Sequence, residues 1–200
     1  MLIGADLDNT IVCYDEVIYR AALDRRLIPS AVPACKQAVR DHLRERGREE
    51  AWIELQGYVY GQGMRSAVPF PGVCEFLAAC AGRGMNACII SHRTRYPVGG
   101  PSCDLHRAAQ EWLDDHGFYD GARIGLVAQR VYFELTRKEK LERIAQAGCS
   151  HFIDDLPEFL EEPTFPAGVQ RILFDPQSTH AESPRWRRAT SWDQIAKLLG

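Results

Sequence analysis

The chain opens with Leu2-Ile3-Gly4-Ala5 running straight into Asp6-Leu7-Asp8-Asn9-Thr10, and that junction narrows the folds open to it. An apolar run this short, ended by a turn-favouring Asn, reads as a buried strand. Two carboxylates at the end of such a strand are expensive to bury unless positive charge meets them. At spacing i, i+2 they face the same way, roughly 6.6 Å apart along the strand, so both can address one small ligand or one metal ion. Asp and Asn also end strands as ordinary polar turns. The pair gains meaning only if the rest of the chain brings partners to it.

After Thr10 the pattern turns helical. Helices are expected over residues 15–27, from about Pro33 to Gly47, and from about Arg48 to Gln56, followed by the glycine- and tyrosine-rich stretch 57–63. That stretch reads equally as a specificity loop or as a plain helix-ending turn. No convincing strand lies between 13 and 68. From Pro69 onward strands and helices alternate: a helix at Val73 to Ala81 and a strand at Met85 to Ser91, then a helix at about Cys103 to His116. A strand follows at Ile124 to Ala128, a helix at Thr136 to Ala147, and strands at His151 to Asp155 and Val169 to Phe174. Ser191-Trp192-Asp193-Gln194 opens a terminal amphipathic helix with a capping box. Such alternation implies an α/β fold, a parallel Rossmann-like sheet of about five strands with helices on both faces. Ligands bind such sheets beyond the carboxyl ends of the strands. Asp6 and Asp8, Ser91, and Asp154 and Asp155 all stand at such ends.

Bulk properties set the remaining bounds. A chain of 200 residues with 46% apolar and 26% charged residues has ample material for a core, and its net charge of -3 supplies no reason to expect a nucleic-acid partner. The short basic cluster Arg185-Trp186-Arg187-Arg188 reads as a solvated patch. Seven scattered cysteines without a C-x-x-C pair suit a reducing, cytoplasmic setting. No apolar run approaches the roughly 18 residues that span a bilayer, so no membrane partner is expected. Gly82-Arg83-Gly84-Met85-Asn86-Ala87 spells a dinucleotide fingerprint but precedes a strand instead of following one, so the context fails.

The chemistry that suits these strand ends is phosphoryl transfer. Carboxylates repel a phosphate monoester unless a divalent cation bridges them, and Mg²⁺ takes one or two carboxylates with water and substrate oxygens. Asp6 and Asp154 are placed to supply them; carboxyl groups more than about 8 Å apart would be incompatible with one shared ion, whose ligand bonds are near 2.1 Å. One Asp can attack phosphorus while the other moves protons. A hydroxyl and an ammonium, Ser91 and a lysine, then bind the phosphoryl oxygens. Thr136 and Glu139 spell a capping box that puts Lys138 in the first helical turn. At 100° per residue Lys138 lies about 60° from Leu141, near a face made by Leu141, Ile144 and Ala145, and Lys140 about 100° away on the other flank. On this reading Lys138 is preferred to Lys140 as the phosphate ligand.

Asp6-Leu7-Asp8-Asn9-Thr10, Ser91 after an apolar strand, Lys138 and the Asp154-Asp155 pair resemble, in order, the four motifs of the haloacid dehalogenase (HAD) superfamily. The resemblance spans most of the chain outside 13–68. It implies a Rossmann-like core and Mg²⁺-dependent phosphoryl transfer, with Asp6 as nucleophile, Asp8 as acid and base, and Ser91 and Lys138 as phosphate ligands. Asp6, Asp154 and the backbone carbonyl of Asp8 would hold the metal. It also implies that 13–68 is a small helical cap inserted after the first motif, leaving 1–12 and 69–200 as the core. The roughly 46 residues between Ser91 and Lys138 leave little room for a second cap.

Thr10 and Asp155 are expected in supporting positions, although Asp155-Leu156-Pro157-Glu158 also reads as a plain helix cap. His92 and Arg93 are close enough in sequence to reach substrate, though polar residues in a loop are ordinary, and loop 92–101 has no assigned role. The activity expected is a phosphatase acting on a small phosphorylated metabolite. A phosphomutase would need the same residues; a regulatory binding module would be expected to lack one of them. A dehalogenase has no use for a proton donor at Asp8, and a glycosyltransferase with Asp-x-Asp would carry a nucleotide-binding unit ahead of it.

Overall fold

The computed structural model describes residues 1–200. In chain order, β1 (Leu2–Ala5) and β2 (Val12–Cys13) lead into helices α1 (Asp15–Asp24), α2 (Lys36–Glu45) and α3 (Glu49–Tyr60). Then come β3 (Val68–Pro69), α4 (Val73–Gly82), β4 (Asn86–His92), α5 (Leu105–Asp115) and β5 (Val131–Glu134). The chain closes with α6 (Arg137–Ala147), β6 (His151–Asp154), α7 (Pro157–Leu160), β7 (Gln170–Phe174), β8 (Arg187–Ala189) and α8 (Trp192–Leu199).

Six of these strands form one sheet in the order β5-β4-β1-β6-β7-β8, every neighbouring pair parallel. The chain builds outward from β1 in one direction and then in the other, so the switch point lies beside β1, where such sheets bind ligands. Gly4 in β1 stands opposite Cys88 of β4 and Phe152 of β6. A Cβ at this position would lie 2.6 Å from Phe152 Cδ2 and 2.9 Å from Cys149 Sγ, so only glycine fits between them. One face of the sheet is covered by a cluster that includes Ile90, Leu141, Ile144, Phe152, Phe159 and Phe165. On the other side Phe76 and Phe174 pack on Trp192 of α8 at 5.1 and 5.8 Å between ring centroids.

The sheet has one strand more than expected, β8, which pairs with β7. The strand expected at 124–128 is replaced by β5 at Val131–Glu134. Residues around Ile124 turn instead: Gly117 and Gly125 have positive φ, and the amides of Ile124 and Gly125 both donate to the Asp120 carbonyl. Ile124 and Leu126 are buried, but from turns. Helix α3 runs through Gly57 to Tyr60 and does not stop at Gln56. Gly57 permits a close approach there, since a Cβ would sit 1.9 Å from the Gly99 carbonyl oxygen.

The chain divides into two compact units, Met1–Val12 with Pro69–Arg93 and His116–Gly200, and Cys13–Val68 with Thr94–Asp115. The second unit therefore holds more than the expected insertion at 13–68. Residues 94–115, expected in the core, supply it with a loop and α5. Trp112 Nε1 donates to the Ala67 carbonyl at 2.9 Å, and the 99–100 loop lies on Gly57 and Glu54 of α3. The covering surface for the α1–α3 bundle thus comes from two separate stretches of sequence. No helix of the chain is long and apolar enough to cross a membrane.

Candidate active site

The first motif continues β1 into a tight turn. Asn9 takes a left-handed φ of 58°, the amides of Ile11 and Val12 donate to the Leu7 carbonyl, and Asn9 N donates to the Val12 carbonyl. Trp192 Nε1 reaches back from α8 to the Thr10 carbonyl at 3.2 Å. The loop carrying Asp6 and Asp8 is thereby fixed at both ends.

Asp6 and Asp154 leave adjacent strands, β1 and β6, and a single ammonium joins them. Lys140 Nζ donates to Asp6 Oδ1 at 2.6 Å and to Asp154 Oδ2 at 2.7 Å. Those two oxygens are therefore no more than 5.3 Å apart, the sum of the two distances. This lies inside the 8 Å limit for one shared ion. The remaining oxygen of Asp154, Oδ1, accepts from Leu156 N at 3.0 Å. All three charged groups are buried, and the Lys140 ammonium lies 4.3 Å from the Phe159 ring centroid, a cation over an aromatic face.

The lysine is Lys140 and not Lys138. Lys138 is 84% exposed and faces only Glu142, at 3.7 Å. The capping box forms as read, with Thr136 and Glu139 satisfying each other's backbone amides. The difference lies in which face of α6 is buried. Its buried residues are Lys140, Leu141 and Ile144, whereas Ala145 is exposed. At about 100° per residue Ile144 is the centre of that arc, Lys140 lies about 40° from it and Lys138 about 120°. Counting Ala145 as buried turns the apparent face towards Lys138.

Ser91 is buried near the end of β4, as expected from its position after an apolar strand. His92 is turned aside, its Nε2 3.1 Å from the Leu135 carbonyl oxygen, and burial holds its pKa below the usual histidine range. Arg93 is not a solvated loop residue. It is buried, and its Nη1 donates to both carboxylate oxygens of Asp8, at 2.6 and 2.7 Å. Its place two residues beyond a strand-end serine is the available signal; its burial, which calls for a charged partner, is a tertiary fact. Asp155 is half-buried, and Leu156 rather than Asp155 is the N-cap residue of α7. Asp175, at the end of β7, is a buried carboxylate outside the expected set. Burial would raise its pKa, but the amides of His180 and Thr179 outweigh that and hold it below the usual carboxylate range.

The electrostatics leave this strand edge with surplus negative charge. Burial pushes the Asp6 carboxyl up to about 7; Lys140 pulls against that, and the Asp154 and Asp8 carboxylates reinforce it. Burial alone would lower the Lys140 pKa, but Asp154 and Asp6 outweigh it and keep the ammonium charged. Burial is the main cause of the raised Asp6 pKa, and at this strand edge three carboxylates, Asp6, Asp8 and Asp154, face two cations, Lys140 and Arg93. A hard divalent cation fits that imbalance, with oxygen donors from Asp6 and Asp154 and the backbone carbonyl of Asp8. No three His, Cys, Asp or Glu side chains converge on one point, and Mg²⁺ does not require that. Thr10 Oγ1 is buried without a hydrogen-bond partner in the same turn, a donor left for a ligand or a water.

Searches of protein families and of curated proteins by sequence find no match. Solved structures do match in fold. A HAD-superfamily hydrolase from Ehrlichia chaffeensis has a TM-score of 0.58 at 12% identity, over 99% of this chain and 95% of that one. The putative HAD-hydrolase YfnB from Bacillus subtilis, bound to magnesium, has 0.60 at 12% identity, over 99% and 97%. A predicted phosphoglycolate phosphatase from Haemophilus somnus has 0.53 at 16% identity, over 100% and 97%. The chain has the fold of the HAD-superfamily hydrolases.

Proposed function

We propose that this protein is a Mg²⁺-dependent phosphatase that hydrolyses a small phosphate monoester through a phosphoryl group carried on Asp6. The observation that carries the reading is the pair of buried carboxylates, Asp6 and Asp154, drawn together by Lys140 at the carboxyl ends of adjacent strands. Lys140 ties down Oδ1 of Asp6, which leaves Oδ2 of the same carboxylate for attack on phosphorus. As the new P–O bond forms, the bond to the leaving oxygen breaks, and Asp8 gives that oxygen a proton. A water molecule then attacks the phosphoryl group, its proton passes to Asp8, and the P–O bond to Asp6 breaks to release phosphate. Ser91 and Lys140 supply the hydroxyl and the ammonium that meet the charge on the phosphoryl oxygens. Asp6, Asp154 and the Asp8 carbonyl would hold Mg²⁺, which when bound offsets the repulsion between the carboxylates and a phosphate dianion.

The presence of Asp8 favours phosphate chemistry over dehalogenation, which calls on no proton donor at that position. Turnover of a generic aryl phosphate with and without Mg²⁺ tests the reading. Activity is expected with Mg²⁺, to be lost in EDTA and in Asp6→Asn; undiminished activity in either condition would overturn it.

A further inference from the structure

We infer that Arg93 is a positioning residue for this reaction, holding the Asp8 carboxylate in the orientation from which it takes the proton of the attacking water. The inference rests on the phosphatase reading and assigns a role to a residue outside the four motifs. Arg93 donates its own amide to the Glu134 carbonyl at 2.9 Å, so its backbone continues β4 alongside the end of β5. From there the side chain passes towards the end of β1 and meets Asp8. Both Asp8 oxygens bond to one nitrogen, Nη1, at 2.6 and 2.7 Å, which turns the carboxylate to face that nitrogen and ties both oxygens at once. The arginine side chain is 3% exposed and the Asp8 side chain 16%. A charge pair so far out of water adds little to stability against an apolar replacement of similar size. Departures from ordinary core composition of this kind tend to mark function.

The charges agree with that role. Asp6, Asp8 and Asp154 meet two buried cations, Lys140 and Arg93. Each cation has its own carboxylate work: Lys140 joins the attacking Asp6 to Asp154, and Arg93 holds Asp8. The two halves of the reaction depend on Asp8 differently. A leaving group that is already a stable anion needs no proton, so its release does not require Asp8 to be well aimed. Removal of a proton from water does, and general-base catalysis contributes roughly 10²–10⁴-fold.

The test is Arg93→Met with p-nitrophenyl phosphate and Mg²⁺, following first-turnover nitrophenolate release, steady-state turnover, and the mass of one added phosphoryl group on the acid-quenched protein. Release in the first turnover is expected to stay within about threefold of wild type, while steady-state turnover falls about thirtyfold or more and phosphoenzyme accumulates. Because one nitrogen makes both contacts, an ammonium can reproduce them, and Arg93→Lys is expected to recover turnover to within about fivefold of wild type. Arg93→Gln, which keeps a single amide donor, serves if the Met variant folds poorly. Wild-type turnover in Arg93→Met, or release and turnover falling together without phosphoenzyme, overturns the inference while the phosphatase reading stands. A wild-type chain inert towards aryl phosphates overturns both.

Discussion

Replacing Asp6 by Asn should remove activity and, above neutral pH without metal, make the protein more stable. A carboxyl whose pKa moves from 3.8 unfolded to about 7 folded costs the native state on the order of 4 kcal/mol once both forms are ionised, at 1.36 kcal/mol per tenfold. The sign follows from proton binding. Between about pH 4 and pH 7 the folded chain holds a proton that the unfolded chain has lost, so raising the pH through that window weakens the fold. Asparagine carries no charge and escapes this cost. The value near 7 already includes the Lys140 bond to the ionised acid, so that bond carries no separate loss. The net expectation is a gain of about 4 kcal/mol at pH 8 that falls to about 2 kcal/mol at pH 5. Urea unfolding in EDTA at both pH values measures it. For a slope near 2 kcal/mol/M the midpoint of the variant should rise by about 2 M at pH 8 and by about 1 M at pH 5. A variant no more stable than wild type at pH 8, or equally shifted at both pH values, would refute the assignment of Asp6 as the strained carboxyl.

Lys140→Met should lower turnover by a hundredfold or more and cost about 3–5 kcal/mol in metal-free buffer, because two buried carboxylates lose their shared cation. Lys138→Met, which removes only an exposed pair with Glu142, should change turnover less than twofold, and the two variants assayed side by side decide which lysine serves the site. Gly57→Ala should drive residues 97–100 off α3, since its Cβ would lie 1.9 Å from the Gly99 carbonyl oxygen; limited proteolysis should then cut between 94 and 104 faster than in wild type. Trp112→Phe should destabilise the chain by about 1–3 kcal/mol by leaving the Ala67 carbonyl without its buried donor, read as a lower urea midpoint.

Much of this architecture is legible in the sequence because local rules and the tertiary solution agree. β1, β4, β6 and β7 are short apolar runs that must be buried on both faces, and their polar ends mark one edge of a parallel sheet. The capping boxes of α6 and α8 form where Thr136 and Ser191 stand. The reading fails where a residue's role depends on what packs against it. Ile124 and Leu126 are apolar enough for a strand, yet Asp120 and two glycines fold them into turns, and the edge position goes to Val131–Glu134.

The same limit explains the site. Asp6, Asp8, Ser91 and Asp154 follow from sequence because each is tied to a strand end, and a strand end is a local feature. The choice between Lys138 and Lys140 depends on which arc of α6 faces the sheet, and an exposed alanine is indistinguishable in sequence from a buried one. Arg93 follows a strand in a run of polar residues, where solvent is the ordinary destination; only the neighbouring end of β1 brings Asp8 within 2.6 Å of it. The helix α5 has an apolar face that suits a sheet or a bundle equally, and packing with α3 decided for the bundle. Hydrophobic period and strand-end chemistry, which act over a few residues, were thus set by sequence alone. The cations that meet Asp8 and Asp6 lie 85 and 134 residues away along the chain, and only the tertiary structure chose them.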